Sequence, residues 1–505
     1  MATSADHLAQ KGVRPVRRRL RLKRKDRIFL AVNGVIWSCI GVAVLSNPQA
    51  SFETAGYVAL LSLICTSPLL FATSYRGRAS LLIVFMAYYF ATFGLGDLVN
   101  LFSPSLYTSP PGIPPTWGGA TAIVLGAVSF LFGYSVTTAL PLYRASGWSA
   151  RQWAPGATAA LGIFFWATGW STTAFAQFGG TDPNSGAHIS SMIGGYLTLA
   201  RALQPVGALM LIYLFLDRRT RSGKILAALL AIMVLDIALG FFGGGAKHIA
   251  LEVPILFLLS FTLLRERIPV VALSVFVIGA AVLFNVFGNY RASLALHAES
   301  RSAAFSRIAS GKASLLQKHV PLGERVSDGL EYFISRISQR WVIDLVVART
   351  GRDGTRFQDG STLAPLFYIF VPRWVAPDKP NNVTGQLFNR TFSITTANTF
   401  IAVTNLGDLY WNFGWPGVLF GMTIIGAFLA WAATKFRLDR NPTLPKFLFL
   451  MVTILLLVLK FEGGIALIYT MWARVAVFLL LLHAAMPKAR RSRTVGPPAA
   501  DAGSE

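Results

Sequence analysis

The sequence predicts an all-α polytopic membrane protein, with about twelve transmembrane helices and one large, partly helical external segment capping the bundle. Two observations carry this expectation. The chain of 505 residues is 54% hydrophobic and only 13% charged, about half the charge of an ordinary soluble domain. Its apolar residues also gather in blocks of about twenty, the length of helix that crosses the roughly 30 Å hydrocarbon core of a bilayer. A soluble multidomain enzyme is thereby excluded. So is a disulfide-stapled chain, because the only two cysteines, Cys39 and Cys65, fall inside apolar blocks. Most of the net charge of +24 flanks the apolar blocks, where membrane topology accounts for it without nucleic acid.

In chain order, residues 1–27 form a basic cytoplasmic arm with ten Lys and Arg between Lys11 and Arg27. No small-residue cleavage site follows, and further spans come after, so the first apolar run reads as a retained helix rather than a secretory signal. Residues 28–287 form a membrane domain of about nine spans, near 28–46, 55–73, 80–101, 118–140, 156–176, 192–216, 225–242, 248–264 and 268–287. Three more, near 415–434, 446–461 and 465–486, make a second membrane domain over 415–486, and 487–505 form a cytoplasmic tail. Each span must be helical, because lipid offers no partner to an unpaired backbone group. Basic segments at 76–78, 144–151, 218–224, 265–267, 435–446 and 488–493 all fall on one side of such an arrangement, whereas 47–54, 102–117 and 177–191 contain no Lys or Arg. That asymmetry predicts both termini in the cytoplasm.

Residues 288–414 then lie on the opposite side. The segment is too aromatic for a solvated tail, with Trp341, Phe357, Phe367, Tyr368, Phe370, Trp374, Phe388, Phe392 and Phe400. Over 325–350 the period is helical: Leu330, Phe333, Ile334, Ile337, Trp341, Leu345 and Val346 form one apolar stripe, with Asp328, Arg336, Arg340 and Asp344 opposite. Residues 301–319 form a weaker amphipathic helix. Fourteen Lys and Arg in 288–414 suit an anionic ligand at the outer membrane surface.

Ionisable groups inside spans face a bundle interior or a cavity; Asp97, Arg201, Asp236, Glu252, Lys460, Glu462 and Arg474 are the cases here. Arg201 and Asp236 fall on neighbouring helices, and Arg474 is within reach of Glu462 across the final turn. Three consecutive glycines, Gly243 to Gly245, allow a tight turn, which sets Lys247 and His248 at the start of the next helix, where free N–H groups favour a phosphate. No P-loop, zinc motif, Rossmann fingerprint or nucleophile elbow occurs. No metal and no cofactor is therefore expected.

Four short motifs follow in order. They are Gly243-Gly244-Gly245-Ala246-Lys247; Asn289-Tyr290-Arg291; Val371-Pro372-Arg373-Trp374 with Asp378-Lys379-Pro380; and Gly407-Asp408-Leu409-Tyr410-Trp411-Asn412-Phe413-Gly414-Trp415-Pro416-Gly417. The set resembles that of the Wzy-type O-antigen and exopolysaccharide repeat-unit polymerases, over roughly residues 240 to 435. Lys247 stands where Arg is usual and Asp408 where Glu is usual. The resemblance implies glycosyl transfer at the periplasmic face of the bacterial inner membrane, without nucleotide or metal. A growing glycan on undecaprenyl diphosphate is passed to an incoming lipid-linked repeat unit, within the bilayer and alongside a flippase and a chain-length regulator.

A diphosphate leaving group calls for cations, for which Arg291, Lys247, Arg373 and Lys379 are the candidates. The acceptor hydroxyl calls for a base. Asp408 is the first choice, with His248 and Asp97 in reserve. Tyr410, Trp411 and Trp415 are placed to stack on sugar rings. Two other classes share the layout: an O-antigen ligase, and a lipid-linked oligosaccharide flippase or secondary transporter. Transporters usually show internal repeats, and no repeat between the halves is found.

Overall fold

The computed structural model describes residues 24–488 except 48–49, 72–78, 103–112, 141–147, 149, 179–190, 243–246, 266, 268, 298–321, 353, 372–374, 377, 381–383, 395–399 and 440–441. Among these residues the chain is helical, with no named strand. Helices α1 (Arg24–Ser46), α2 (Phe52–Thr66), α3 (Pro68–Phe71), α4 (Ala79–Phe93), α5 (Leu95–Phe102) and α6 (Trp117–Ala139) come first. Then follow α7 (Pro155–Phe178), α8 (Ser191–Leu216), α9 (Gly223–Phe242), α10 (Lys247–Arg265) and α11 (Val270–His297). The connecting segment carries α12 (Leu322–Ile337), α13 (Arg340–Arg349), a 3-10 turn (Ser361–Tyr368) and α14 (Thr384–Phe392). The chain ends in α15 (Asn405–Pro416), α16 (Met422–Lys435), α17 (Leu444–Thr453) and α18 (Ile465–Ala485), with π turns at Gly417–Gly421 and Ile454–Val458.

Seven of the described helices are long and apolar enough to cross a membrane, or eight if α4 and α5, bent by 42°, count as one. Each apolar block of the sequence coincides with a helix, but Val270–Phe284 and Leu444–Val458 are shorter apolar helices. Helix α15 begins ten residues before the span expected at 415, so that the Asp408-to-Trp411 motif lies inside the packed bundle rather than at its entrance.

Glycine sets the closest helix contacts. A Cβ on Gly133 of α6 would overlap the carbonyl of Thr423, and one on Gly426 of α16 would overlap that of Phe130. Small residues let such backbones touch, which is how helices associate where lipid is as apolar as leucine. Gly133→Val should therefore force α6 from α16 at about 3 kcal/mol, the upper range of overpacking, seen as a lower melting temperature in detergent. Gly34→Ala is the control, since nothing lies within 4 Å of that position.

The connecting segment is packed into the bundle. Phe333 of α12 meets Phe284 of α11 edge-on, centroids 5.0 Å apart, as the apolar stripe predicts. The single helix expected over 325–350 is in fact two. It breaks at Ser338 and Gln339, where the Gln339 N–H donates to the carbonyl of Thr92 on α4 (2.8 Å). Past the break α13 is buried on most sides, so Arg340 and Asp344, expected on the polar face, are 5% and 2% exposed.

Candidate functional site

Two buried polar centres and one apolar cleft are built around α13, α15 and the turn between the last two long helices. The first centre surrounds Arg340. Its Nη1 lies 2.9 Å from Asp97 Oδ2 of α5, its Nε 3.3 Å from Asp344 Oδ2, and its guanidinium sits 4.5 Å over the ring of Tyr57. Asp344 Oδ1 also accepts from Thr116, at the backbone N–H (2.9 Å) and at Oγ1 (2.8 Å), at the N-terminus of α6. A free N-terminus with its positive dipole end is where a carboxylate is best held. Burial pushes the Asp344 carboxyl above the usual range, against the pull of Arg340 and Thr116. Asp97 is thus bound up with Arg340 and fixes α5 to α13, which is a structural duty rather than that of a reserve base.

The second centre is Asp408, fully buried. Its Oδ1 accepts from Thr362 Oγ1 (2.6 Å) and Asn412 Nδ2 (3.0 Å), and its Oδ2 from the backbone N–H of Ile465 (2.9 Å). Asn412, one helical turn on, accepts from the N–H of Gly360 (2.9 Å), and the N–H of Gln358 donates to the carbonyl of Trp411 (3.0 Å). Asp408 and Asn412 share a helix face because they are four apart. They join α15 to the 358–368 segment on one side and to the start of α18 on the other. With three donors on its two oxygens, Asp408 positions neighbouring segments and is closed to an acceptor hydroxyl. Gly414, at φ 63° and ψ −144°, supplies the kink that ends this part of α15, a conformation favouring glycine. The π turn follows at once, a feature common at functional sites.

What α15 holds in place is the turn 459–464. The N–H of Thr404 donates to the carbonyl of Glu462 (2.7 Å), and the N–H and Nδ2 of Asn405 donate to that of Phe461 (2.9 and 3.2 Å). Phe461 is driven into an aromatic core, 5.2 Å from Phe85 and 5.8 Å from Tyr89. Its neighbours Lys460 and Glu462 remain half-buried. Lys460 is within electrostatic reach of Glu252 on α10 and of Glu462, and Glu462 also feels Arg336 of α12. Burial raises the Glu462 carboxyl above its ordinary value, while Arg336 and Lys460 oppose the rise. Four charged groups of alternating sign, on α10, on the turn and on α12, are thus linked in a series Glu252, Lys460, Glu462, Arg336 by electrostatic reach.

The expected pairs differ. Arg474 does not reach Glu462; its Nε and Nη2 both donate to the carbonyl of Ile369 (3.2 Å each). Asp236 accepts from Gln204 Nε2 (2.8 Å) and Trp166 Nε1 (3.2 Å), and Arg201 stays exposed.

Beside the turn lies a cleft of about 720 Å³ between the 3-10 turn, α15, α16 and α18. Leu363, Leu366, Ile369, Phe413, Phe420, Ile465 and Trp472 are among its walls, which are apolar or aromatic throughout.

The other predicted residues divide. Trp411 is fully buried, its ring 5.5 Å from Phe388 and 5.6 Å from Phe392, so it anchors α14 and is no platform for a sugar. Tyr410 is buried edge-on to Trp415 (5.3 Å), and Trp415 is 39% exposed. Lys379 Nζ donates to the carbonyls of Tyr368 and Val371, so it closes its own loop. Arg373 and the helix expected over 301–319 lie outside the described residues, as do the side chains of Lys247, His248 and Arg291. Arg336 was legible only as a surface cation. The doublet Gly463-Gly464 behind Glu462 was the one signal of a special turn there. No protein-family model, curated protein or solved structure matches this chain.

Proposed function

We propose that this chain is a membrane glycosyltransferase. It joins undecaprenyl-diphosphate-linked repeat units into polysaccharide at the periplasmic face of the bacterial inner membrane, with about twelve spans, both termini cytoplasmic and residues 288–414 periplasmic. One observation supports the reading most: α15, which carries the Asp408-to-Gly414 motif, both walls an apolar cleft and pins a charge-bearing turn. Ile465 lines that cleft, and Glu462 stands three residues before it. An isoprenoid tail suits the cleft. A diphosphate suits Arg336 and Lys460; Arg291, Lys247 and Arg373 are assigned to the same diphosphate by the motif resemblance alone.

The base in this reading is Glu462, with His248 second, because Asp408 and Asp97 are already engaged. A carboxyl whose acidity is weakened by burial takes a proton from a hydroxyl more readily than an ordinary glutamate.

Deleting the gene should leave single lipid-linked repeat units unextended, and Glu462→Gln should do the same at normal protein level, both read by size analysis of lipid-linked glycans. Glu462 works as the carboxylate, so extension is lost as pH falls through its raised pKa, with a midpoint above the ordinary value of about 4.3. Finished polymer left unattached in the deletion strain would instead mark a ligase, and repeat units trapped on the cytoplasmic face a flippase. Normal extension by Glu462→Gln would remove this turn from the chemistry.

A further inference from the structure

A second cleft, of about 750 Å³, is lined by Arg218, Arg221, Arg265 and Arg267 together with Phe261. The arginines come from two separate places, the turn between α8 and α9 and the end of α10 with the residues leading into α11. Two of them are held: Arg265 Nη2 donates to the carbonyl of Leu216, and the Arg221 guanidinium lies 5.0 Å over the ring of Phe215. Asp217, the acid next to Arg218, accepts the N–H of Arg219 (3.1 Å) and shapes the turn; Glu266, between Arg265 and Arg267 in the sequence, lies outside the described residues. Among the described residues no carboxylate lines the cleft and none of the four arginines forms an ion pair.

We propose that this cleft binds the phosphate groups of an anionic phospholipid headgroup. Four like charges brought together repel one another, and topology alone asks only that cations lie on this side of the membrane, not that they converge. Guanidinium forks match phosphate oxygens two at a time, so four of them provide for two phosphates. The surroundings select a lipid over a soluble phosphate. Val270 and Val271 at the start of α11, and Leu226 and Leu230 on the first turns of α9, are 66%, 79%, 39% and 53% exposed. They follow Arg267 by three and four residues and Arg221 by five and nine, and offer apolar surface for acyl chains within two or three helical turns of the arginines. Basic pockets between membrane helices on the cytoplasmic side are where such headgroups bind. In the proposed topology the site lies on the cytoplasmic face, opposite the glycan chemistry, and its test reads lipid binding rather than glycan extension.

The test is a thermal-melting titration of the purified full-length chain in detergent with diphosphatidylglycerol, phosphatidylcholine or inorganic pyrophosphate. Diphosphatidylglycerol should raise the melting temperature saturably, and phosphatidylcholine should not. The double variant R218Q/R267Q leaves the Arg265 and Arg221 contacts in place. It should raise the half-saturating lipid concentration about thirtyfold, each single variant about fivefold, while R18Q/R19Q in the basic arm matches wild type. Three results would overturn the proposal: no stabilisation by diphosphatidylglycerol, unchanged titration of the single and double variants, or equal stabilisation by phosphatidylcholine. Saturation by pyrophosphate at the same concentration as the lipid would reassign the cleft to a soluble phosphate and overturn the lipid.

Discussion

Arg340→Met should cost the chain about 3–5 kcal/mol, the loss expected when one partner of a buried ion pair is removed. The methionine fills much of the volume, but Asp97 and Asp344 are left as two carboxylates in an interior with no cation. The neutral set Asp97→Asn, Arg340→Met and Asp344→Asn should be far milder, since replacing every charge of a buried cluster is often close to neutral. The single variant also acquires a pH dependence of known sign. Its two orphaned carboxyls bind protons more tightly folded than unfolded. Part of the lost stability therefore returns as pH falls toward the ordinary aspartate value of about 3.9. Melting temperatures of the single and triple variants across pH in detergent check both statements; equal losses in the two would mean that the cluster's charge does not matter.

Asp408→Ala should abolish glycan extension and lower stability together. It leaves the Thr362 hydroxyl and the Ile465 N–H without their acceptor, at about 1–3 kcal/mol for each buried group, and it frees the turn that carries Lys460 and Glu462. Asp408→Asn separates positioning from direct chemistry. Its carbonyl still serves Thr362, but its amide meets the N–H of Ile465 donor to donor. A positioning role predicts that melting temperature and extension fall in step. Lost extension at an unchanged melting temperature would return Asp408 to the role of base.

The apolar helices were legible because hydropathy over about twenty residues is a strong signal, although seven or eight of the described ones, rather than about twelve, are long and apolar enough to cross a membrane; the α12 stripe was legible because its period survives to Phe333. Arg340 and Asp344 were not. A helical wheel drawn through Ser338 and Gln339 carries the phase across a break that only the contact with Thr92 reveals. In the motif, the four-residue spacing of Asp408 and Asn412 was readable as a shared face, but their partner Thr362 lies 46 residues away from Asp408. Trp411 looked like a sugar platform because an aromatic beside a glycine-bounded motif gives no hint of Phe388 and Phe392 closing over it. The failed pairings of Arg201 with Asp236 and Arg474 with Glu462 share one cause. Opposite charges on adjacent helices suggest each other, whereas a neutral amide, an indole and a backbone carbonyl leave no trace in a charge pattern.

The double attachment of α15 has a mechanical corollary. Thr362 and Gly360 grip it from one flank and Ile465 from the other, through side chains a single helical turn apart. Whatever slides into the greasy slot and nudges the 358–371 stretch must also tug on the loop bearing Glu462. In the proposed reading, filling of the slot and the setting of Glu462 are therefore geared to one another.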